Sequence, residues 1–217
     1  MDFLNTFKVL ALSAVLLATG CAQQTVKPYD YTAFEKSKPR SILVIPPLNN
    51  SIEADAPYKY LSTITQPLAE KGYYVYPVAV IDQFLKHNGL PTPAEMNTIS
   101  LDRIDKHIGA DAVLYVTIEE WGQKYQVLAS TTIVKAQLKL IDVKSGELLW
   151  EGTAQAAQSS GDGGGGIAGM LVSALVTQVI GSIGDKTPEL SAFANTLAIN
   201  SSHGMLDGPY LVKKAAE

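Results

Sequence analysis

The sequence contains one cysteine, Cys21, and three histidines among 217 residues. A single cysteine excludes a disulfide within the chain and a zinc site built from several thiolates. The histidines are His87, His107 and His203, and none has a second ligand at a spacing typical of metal sites. The net charge of −4 gives no basic surface of the kind that binds nucleic acid. We therefore predict no metal, no cofactor and no nucleic-acid partner.

Catalytic motifs are missing as well. Residues 159–166 are glycine-rich but lack the spacing of a dinucleotide-binding or phosphate-binding loop, and their composition predicts a flexible hinge. No Gly-x-Ser-x-Gly elbow is present for acyl transfer. The acids Asp102, Asp105 and Asp111 would serve a hydrolase only if two of them faced each other in a cleft. The helical spacing of Asp102 and Asp105 predicts a solvated helix face, so we predict a protein that is not an enzyme.

The apolar run at residues 9–18 is too short to cross a membrane, because ten helical residues span about 15 Å and a bilayer core is about 30 Å thick. Lys8 precedes this run and the small pair Thr19-Gly20 follows it, as in a secretory signal. We interpret residues 1–20 as a signal peptide. An ordinary secretory signal followed by an incidental cysteine is the alternative.

The residues that end at Cys21 resemble the lipobox of bacterial lipoproteins. Leu16-Leu17-Ala18-Thr19-Gly20-Cys21 departs from that pattern in having Ala18 where leucine is usual. The resemblance implies that Cys21 is lipidated by acyl chains such as palmitate after the signal is removed, and several acyl chains give stable anchoring. Ala22, where an aspartate would favour the inner membrane, implies the periplasmic face of the outer membrane.

Residues 22–40 are polar and carry Pro28 and Pro39, so we predict a periplasmic tether between the lipidated cysteine and the folded domain. Fully extended, these 19 residues would reach about 60 Å. The alternative is that part of the segment packs on the domain through Tyr29, Tyr31 and Phe34.

Alternating strand and helix patterns followed by a hairpin predict one α/β domain over residues 41–158. The fold class is a mixed sheet of about five strands with packed helices, plus a C-terminal helical region. Strands are predicted at 41–46, 73–77, 112–118, 134–140 and 147–155, and helices at 57–71, 80–87, from 92 and at 100–108. We expect Leu148 and Trp150 to share one face of the last strand. Residues 167–217 are predicted to pack on the same domain as an apolar helix, a second helix from Thr187 and a loop-like tail.

Residues 167–183 contain no charged side chain. Gly169, Ser173, Thr177 and Gly181 recur every four residues and would form a small-residue stripe on one helix face. The helix could pack in the core, form an oligomer interface or insert into a membrane. Its length of about 25 Å is marginal for a bilayer, so we favour interface or core packing. In the helix that follows, the spacing places Leu190, Phe193, Ala194 and Leu197 on one face.

Several segments together resemble a domain-of-unknown-function family of Gram-negative outer-membrane lipoproteins. They are residues 38–51, 72–78, 109–112, 146–152 and 206–210, with the glycine-rich hinge and the apolar helix. The resemblance implies a fold related to the curli-secretion lipoprotein, the lipoprotein activator of penicillin-binding proteins and the N-terminal domain of the Tol translocation protein. It also implies a homodimer and a curli-channel-like lipoprotein as partner.

These expectations lead to a first hypothesis: a non-enzymatic outer-membrane lipoprotein that serves as an accessory subunit of an envelope transport or secretion assembly. The alternative is a regulator of peptidoglycan synthesis that acts on a penicillin-binding protein. Such a regulator needs a long disordered arm, and a tether of about 19 residues is short for that role. An envelope hydrolase acting through Asp102 or Asp111 is the third and least favoured hypothesis.

Overall fold

The computed structural model describes residues 28–126, 129–159 and 185–211. Within these ranges the helices are α1 Thr32–Ser37, α2 Ala56–Glu70, α3 Val78–His87, α4 Pro93–Met96, α5 Leu101–His107 and α6 Thr187–Asn200. The strands are β1 Ser41–Val44, β2 Leu48–Asn49, β3 Tyr74–Val75, β4 Ala112–Gln126, β5 Ala129–Asp142 and β6 Leu148–Ser159. Apart from α1 and β2, which the sequence does not predict, these elements follow the predicted order; the helix predicted at 167–183 lies outside the described residues. Thr92 is the N-cap of α4 and forms the capping box that its sequence indicates.

The six described strands form one mixed sheet in the order β3-β1-β4-β5-β6, and β2 pairs with β4 beside this path. Strand β1 is parallel to β3 and β4, whereas β5 and β6 are antiparallel to their neighbours. The sheet therefore has the predicted mixed α/β class. It has one strand more than expected, because the two residues of β2 pair with Thr117 and Ile118 of β4.

Strand β4 is about twice as long as the sequence pattern indicates. It continues from Ile118 to Gln126 because it pairs along its whole length with β5. A bulge at Glu119 leaves Ile118 opposite Ala136 and Trp121 opposite Val134, so Trp121 stays on the buried face. At about 3.3 Å per residue, β4 spans roughly 45 Å. It is the longest of the described strands.

The sheet separates two apolar clusters. The larger one lies under α1, α2 and α6 and includes Trp121 and Trp150. The smaller one lies under α3, α4 and α5 and includes Leu43 and Val113. Strand β5 alternates between buried and more exposed residues from Thr131 to Leu140, which confirms the alternation predicted at 134–140.

The segment predicted as a tether is partly folded. Residues 28–40 pack on the domain, and Phe34 of α1 is 3% exposed within the larger cluster. Tyr29 and Tyr31 pack against the same cluster. Part of the predicted tether therefore packs on the domain, which was the alternative interpretation of the sequence. Burial of three aromatic rings offsets the entropy lost on ordering this segment.

The buried face of β6 differs from the one expected. Leu148 is 42% exposed, whereas Leu149 and Trp150 are both buried. Leu140 pairs with Trp150 and Ile141 with Leu148, so Leu149 is the extra residue of a bulge. The expectation that Leu148 and Trp150 share one face requires a regular alternation of side chains, and the bulge interrupts that alternation.

Helix α6 also presents a different face from the one expected. Leu190 and Ala194 are buried as predicted, but Ser191, Asn195 and Ile199 complete the buried face, and Phe193 and Leu197 are only half-buried. The polar members are buried because α2 supplies their hydrogen-bond partners.

This buried polar network joins α2 to α6. The Tyr60 hydroxyl donates to Asn195 Oδ1 over 2.6 Å, and Asn195 Nδ2 donates to Thr63 Oγ1 over 3.2 Å. Thr63 Oγ1 lies 2.8 Å from Ser191 Oγ. Burial raises the pKa of Tyr60 well above its ordinary value, so its hydroxyl remains a donor.

We expect Tyr60→Phe to lower the free energy of unfolding by about 1–3 kcal/mol, because it leaves the buried Asn195 Oδ1 without its donor. Tyr74→Phe is the matched control, since Tyr74 is half exposed, and it should change the free energy by less than about 0.5 kcal/mol. Urea denaturation of both variants measures the difference. Equal losses would show that the network contributes no more than a surface hydroxyl.

Candidate functional site

The residues singled out by sequence lie outside the part of the chain that the structure describes. They are Cys21, the glycine-rich residues 160–166 and the stripe residues Gly169, Ser173, Thr177 and Gly181. The structure does describe the residues that flank these segments. Pro28 is the first described residue after Cys21, and Ser159 and Asp185 flank residues 160–184. The candidate site is therefore built from the surroundings of these neighbours.

Pro28 lies beside two tyrosines that fix the N-terminal segment to the domain. The backbone N–H of Glu151 donates to the Tyr29 hydroxyl over 3.0 Å, and the Tyr31 hydroxyl donates to the carbonyl oxygen of Gly204 over 2.5 Å. The two rings lie 4.8 Å apart, and Tyr31 contacts Phe34 edge to face at 6.5 Å. Burial raises the pKa of Tyr29 and of Tyr31, so both hydroxyls stay protonated.

The C-terminal tail crosses the same end of the sheet. The Tyr73 hydroxyl donates to the carbonyl oxygen of Leu206 over 2.6 Å, and the N–H of Tyr210 donates to the carbonyl oxygen of Gly72 over 3.0 Å. Arg40 donates to the Tyr210 hydroxyl and also lies over its ring at 5.7 Å. The sequence predicts this tail only as a loop, but these contacts hold it in place. We call α1, the β5–β6 turn at residues 143–147 and the loop at residues 201–211 the anchor end.

A groove of about 560 Å³ runs between α1 and the tail at the anchor end. Its lining residues are Phe34, Glu35, Lys38, Pro39, Tyr73, Leu206, Asp207 and Pro209. Asp207 is paired with Lys71 at 2.9 Å, so it is not a free carboxylate. The groove therefore offers an apolar floor with a charged rim and no nucleophile with an adjacent base.

A buried carboxylate joins α1 to the β5–β6 turn. Asp142 accepts hydrogen bonds from the Ser37 hydroxyl over 2.5 Å and from the backbone N–H groups of Ser145 and Lys144 over 2.7 and 3.0 Å. Burial disfavours the charged form of Asp142, but the hydrogen bonds outweigh it and hold its pKa below the ordinary 3.8.

We expect the Asp142 carboxylate to make the domain sensitive to acid. Because its pKa is lower in the folded state, its contribution to stability is complete above pH 3.8 and is lost as the pH falls through the folded pKa. Asp142→Asn should therefore be less stable than the parent at pH 7, and the difference should shrink towards pH 3. Denaturation over that range measures it. A difference that is constant with pH would show that the charge of Asp142 does not matter.

Ser159 and Asp185, which flank residues 160–184, both lie towards the opposite end of the sheet. Ser159 pairs with Thr131, next to the tip of the β4–β5 hairpin. Asp185 contacts Lys59, whose Nζ lies 2.8 Å from Asp185 and 2.9 Å from Asp55. The hydrogen bond from Lys59 holds the pKa of Asp185 below its ordinary value. We call the hairpin tip, residues 52–59 and residues 185–188 the distal end.

The distal end exposes apolar side chains. Ile52 is 95% exposed, and Tyr58 is 45% exposed. Glu53 lies beside Gly122 of β4, which places this loop well along the strand from the anchor end. The apolar groups are therefore presented away from α1.

The acids considered for hydrolysis do not form a pair. Asp102 and Asp105 are exposed on α5, as predicted, and Asp102 is bonded to Lys106 at 2.9 Å. Asp111 accepts from the backbone N–H groups of Arg40 and Ser41 over 3.0 Å each. Asp111 thus fixes the start of β1.

Among residues 28–126, 129–159 and 185–211, no three acidic, histidine or cysteine side chains group as metal ligands. Within the same ranges, no helix combines the length and apolar character needed to cross a membrane. His87 and His107 lie in the last turns of α3 and α5, where a cation is favoured by the helix dipole.

Comparison with known proteins identifies relatives along nearly the whole chain. The family model described as "Putative lipoprotein GNA1162-like" matches residues 29–210. The chain is 40% identical over 208 residues to "Putative lipoprotein NMB1124/NMB1162" of Neisseria meningitidis serogroup B, which covers 95% of this chain and 97% of the relative.

Solved structures include a relative in the same family. The crystal structure of lipoprotein GNA1162 from Neisseria meningitidis is 38% identical, with a TM-score of 0.54, over 58% of this chain and 88% of that chain. The PelC dodecamer from Paraburkholderia phytofirmans is 15% identical, with a TM-score of 0.44, over 77% of this chain and 90% of that one. The likeness to PelC is too distant to bear on assembly. The family model and the 40% identical relative agree with the family predicted from sequence: the chain belongs to the GNA1162-like family of lipoproteins.

Proposed function

We propose that this protein is a non-enzymatic lipoprotein anchored through Cys21 at the periplasmic face of the outer membrane. It serves as an accessory subunit of an envelope transport or secretion assembly. The family supports the lipoprotein part of this proposal, and the lipobox-like residues that end at Cys21 supply the attachment point.

The short reach of the N-terminal segment carries the proposal. Only seven peptide links join Cys21 to Pro28, and beyond Pro28 the chain is packed on the domain. Seven links span at most about 25 Å, less than half of the reach expected for a tether up to residue 40. A domain held this close to its lipid works at the membrane surface, which suits a subunit of a membrane-bound assembly.

The same reach weighs against the alternative regulator of peptidoglycan synthesis. A lipoprotein that activates a synthase in the opposite membrane needs an arm that crosses the periplasm. Because Tyr29, Tyr31 and Phe34 pack on the domain, residues 28–40 cannot serve as part of such an arm. The regulator therefore remains the second candidate.

Two partners complete the proposal: a second copy of this chain and a curli-channel-like lipoprotein. The small-residue stripe of Gly169, Ser173, Thr177 and Gly181 is our candidate contact for self-association. We expect Ser173→Leu to weaken the dimer while the domain still folds, because a bulky side chain prevents close approach of two backbones. Sedimentation velocity measures the change. A dimer of unchanged strength would exclude the stripe as the interface.

The experiment that tests the function is a pull-down of the lipidated protein extracted from membranes, with bound proteins identified by mass spectrometry. Cys21→Ser is the matched control, since it removes the acylation site and leaves residues 28–211 unaltered. We expect a channel-forming lipoprotein in the eluate of the parent protein and its loss from the control. Recovery of a peptidoglycan synthase instead would favour the regulator and reject the transport role.

A further inference from the structure

The two ends of the domain are far apart along the strands. Strand β4 begins at Ala112, near the anchor end, and extends by about 45 Å to Gln126 at the hairpin tip. Ser37 of α1 bonds to Asp142, the partner of Ala112 in the β4–β5 ladder, which fixes α1 at the start of β4. Residues 28–37, which follow the proposed lipid attachment, and the flanks of residues 160–184 thus lie towards opposite ends of the sheet.

We infer that the lipidated protein stands upright on the bilayer, with its anchor end against the phospholipid headgroup layer and its distal end projecting into the periplasm. This orientation rests on the proposed attachment at Cys21. It assigns the anchor end as a surface for lipid headgroups, a role additional to any contact with protein partners.

The length of chain between Cys21 and Pro28 supports headgroups as the occupant of this surface. Pro28 can be no farther than about 25 Å from the acylated residue, and Tyr29 and Tyr31 fix it to the domain. The solvent-facing residues of α1 are Thr32, Glu35 and Lys36, while its apolar Phe34 points inward. A polar helix of this kind suits the hydrated headgroup layer and not the acyl core.

This surface exposes charges of both signs. Lys36, Lys38, Arg40 and Lys144 are exposed in residues 28–40 and the β5–β6 turn, and so are the acids Asp30, Glu35 and Glu147. Within the described part of the chain, the ion pair of Lys36 is a long one, 3.9 Å to Glu147, which leaves its ammonium group accessible to lipid phosphates.

The upright orientation has a consequence for residues 160–184. Their flanks, Ser159 and Asp185, lie at the distal end, well away from the headgroup layer. The described residues on either side of this segment therefore lie on the periplasmic side of the upright domain. Insertion of this run into the membrane that holds Cys21 is thereby disfavoured relative to contact with protein.

Energy transfer in vesicles tests the orientation. Because the sequence has no cysteine besides Cys21, an introduced cysteine in the lipidated protein is a unique site for a donor dye. Lys36→Cys and Lys144→Cys label the anchor end, and Lys124→Cys and Ile52→Cys label the distal end; all four side chains are exposed. The vesicles contain phosphatidylethanolamine and phosphatidylglycerol, with an acceptor dye on a fraction of the headgroups.

We expect large losses of donor emission at positions 36 and 144 and small losses at positions 124 and 52. Equal losses at both ends would show a domain lying flat, and larger losses at the distal end would show an inverted one; either result overturns the inference. Flotation of the same samples separates the two proposals. If the parent protein fails to float with vesicles, attachment at Cys21 fails and the orientation fails with it, whereas flotation with equal losses rejects the orientation alone.

Discussion

Replacing Gly72 by alanine should release the C-terminal tail and lower the free energy of unfolding by more than about 2 kcal/mol beyond its control. Gly72 has a φ of +93°, a conformation that L-residues rarely adopt. A Cβ atom there would lie 2.5 Å from the backbone nitrogen of Leu211, so backbone atoms would have to move. Alanine at position 72 is therefore destabilising for two reasons: its backbone would be strained, and its Cβ atom would clash with the tail.

Gly89→Ala is the matched control, because Gly89 has a similar φ of +83° but no atom within 4 Å of the position that a Cβ atom would take. It should cost about 1–2 kcal/mol from conformation alone. Urea denaturation gives both losses, and limited proteolysis reports whether residues 205–211 become accessible. If the two alanine variants lose the same stability and the tail stays protected, the close packing of the tail on Gly72 is unimportant.

Trp150→Ala is expected to lower the free energy of unfolding by about 3–5 kcal/mol. Trp150 is 1% exposed, and its indole N–H donates to the carbonyl oxygen of His203 over 2.8 Å. The ring lies over Gly152, where a Cβ atom would be 2.5 Å from the indole. Loss of the ring would leave a cavity between β6 and the loop after α6, and an acceptor without its donor.

Leu148→Ala provides the control for Trp150, since it lies two residues earlier on the same strand and is 42% exposed. It should cost less than about 1 kcal/mol. Thermal unfolding can be followed by tryptophan fluorescence in both variants, because Trp121 remains when Trp150 is removed. Comparable losses would mean that the Trp150 ring adds little beyond ordinary strand packing.

Local patterns in the sequence predicted the parts of the fold that local physics controls. Apolar residues at every second position specified the buried face of β5, and the Thr92–Glu95 pair specified the start of α4. The helical spacing of Asp102 and Asp105 predicted their exposure. Each of these signals depends only on residues within one strand or helix.

The expectations that failed depend on partners far along the chain. Ser191 and Asn195 are polar, so a pattern of apolar residues cannot place them in the core; they are buried because Tyr60 and Thr63, more than 100 residues away, bond to them. Leu148 is exposed because a bulge shifts the register of β6 against β5.

The candidate site divides in the same way. A short motif sufficed to single out Cys21, because a lipobox is a local pattern. The packing of residues 28–40 was only an alternative at that level, since three aromatic residues without a period do not specify what they contact. The anchor end is formed by segments about 170 residues apart in sequence, as in the bond between Tyr31 and Gly204. A local sequence pattern cannot predict such a contact.

The joining of those distant segments sets the order in which the domain can fold. Tyr31 and Arg40 reach their partners only when Gly204 and Tyr210 are available, so these bonds of the anchor end cannot form until residue 210 has been made. Contacts of such large sequence separation form slowly, because a long loop must be closed before they contribute. Under the proposed function, a domain whose closing bonds wait for residue 210 stays unfolded during most of its synthesis, which suits export of an unfolded chain.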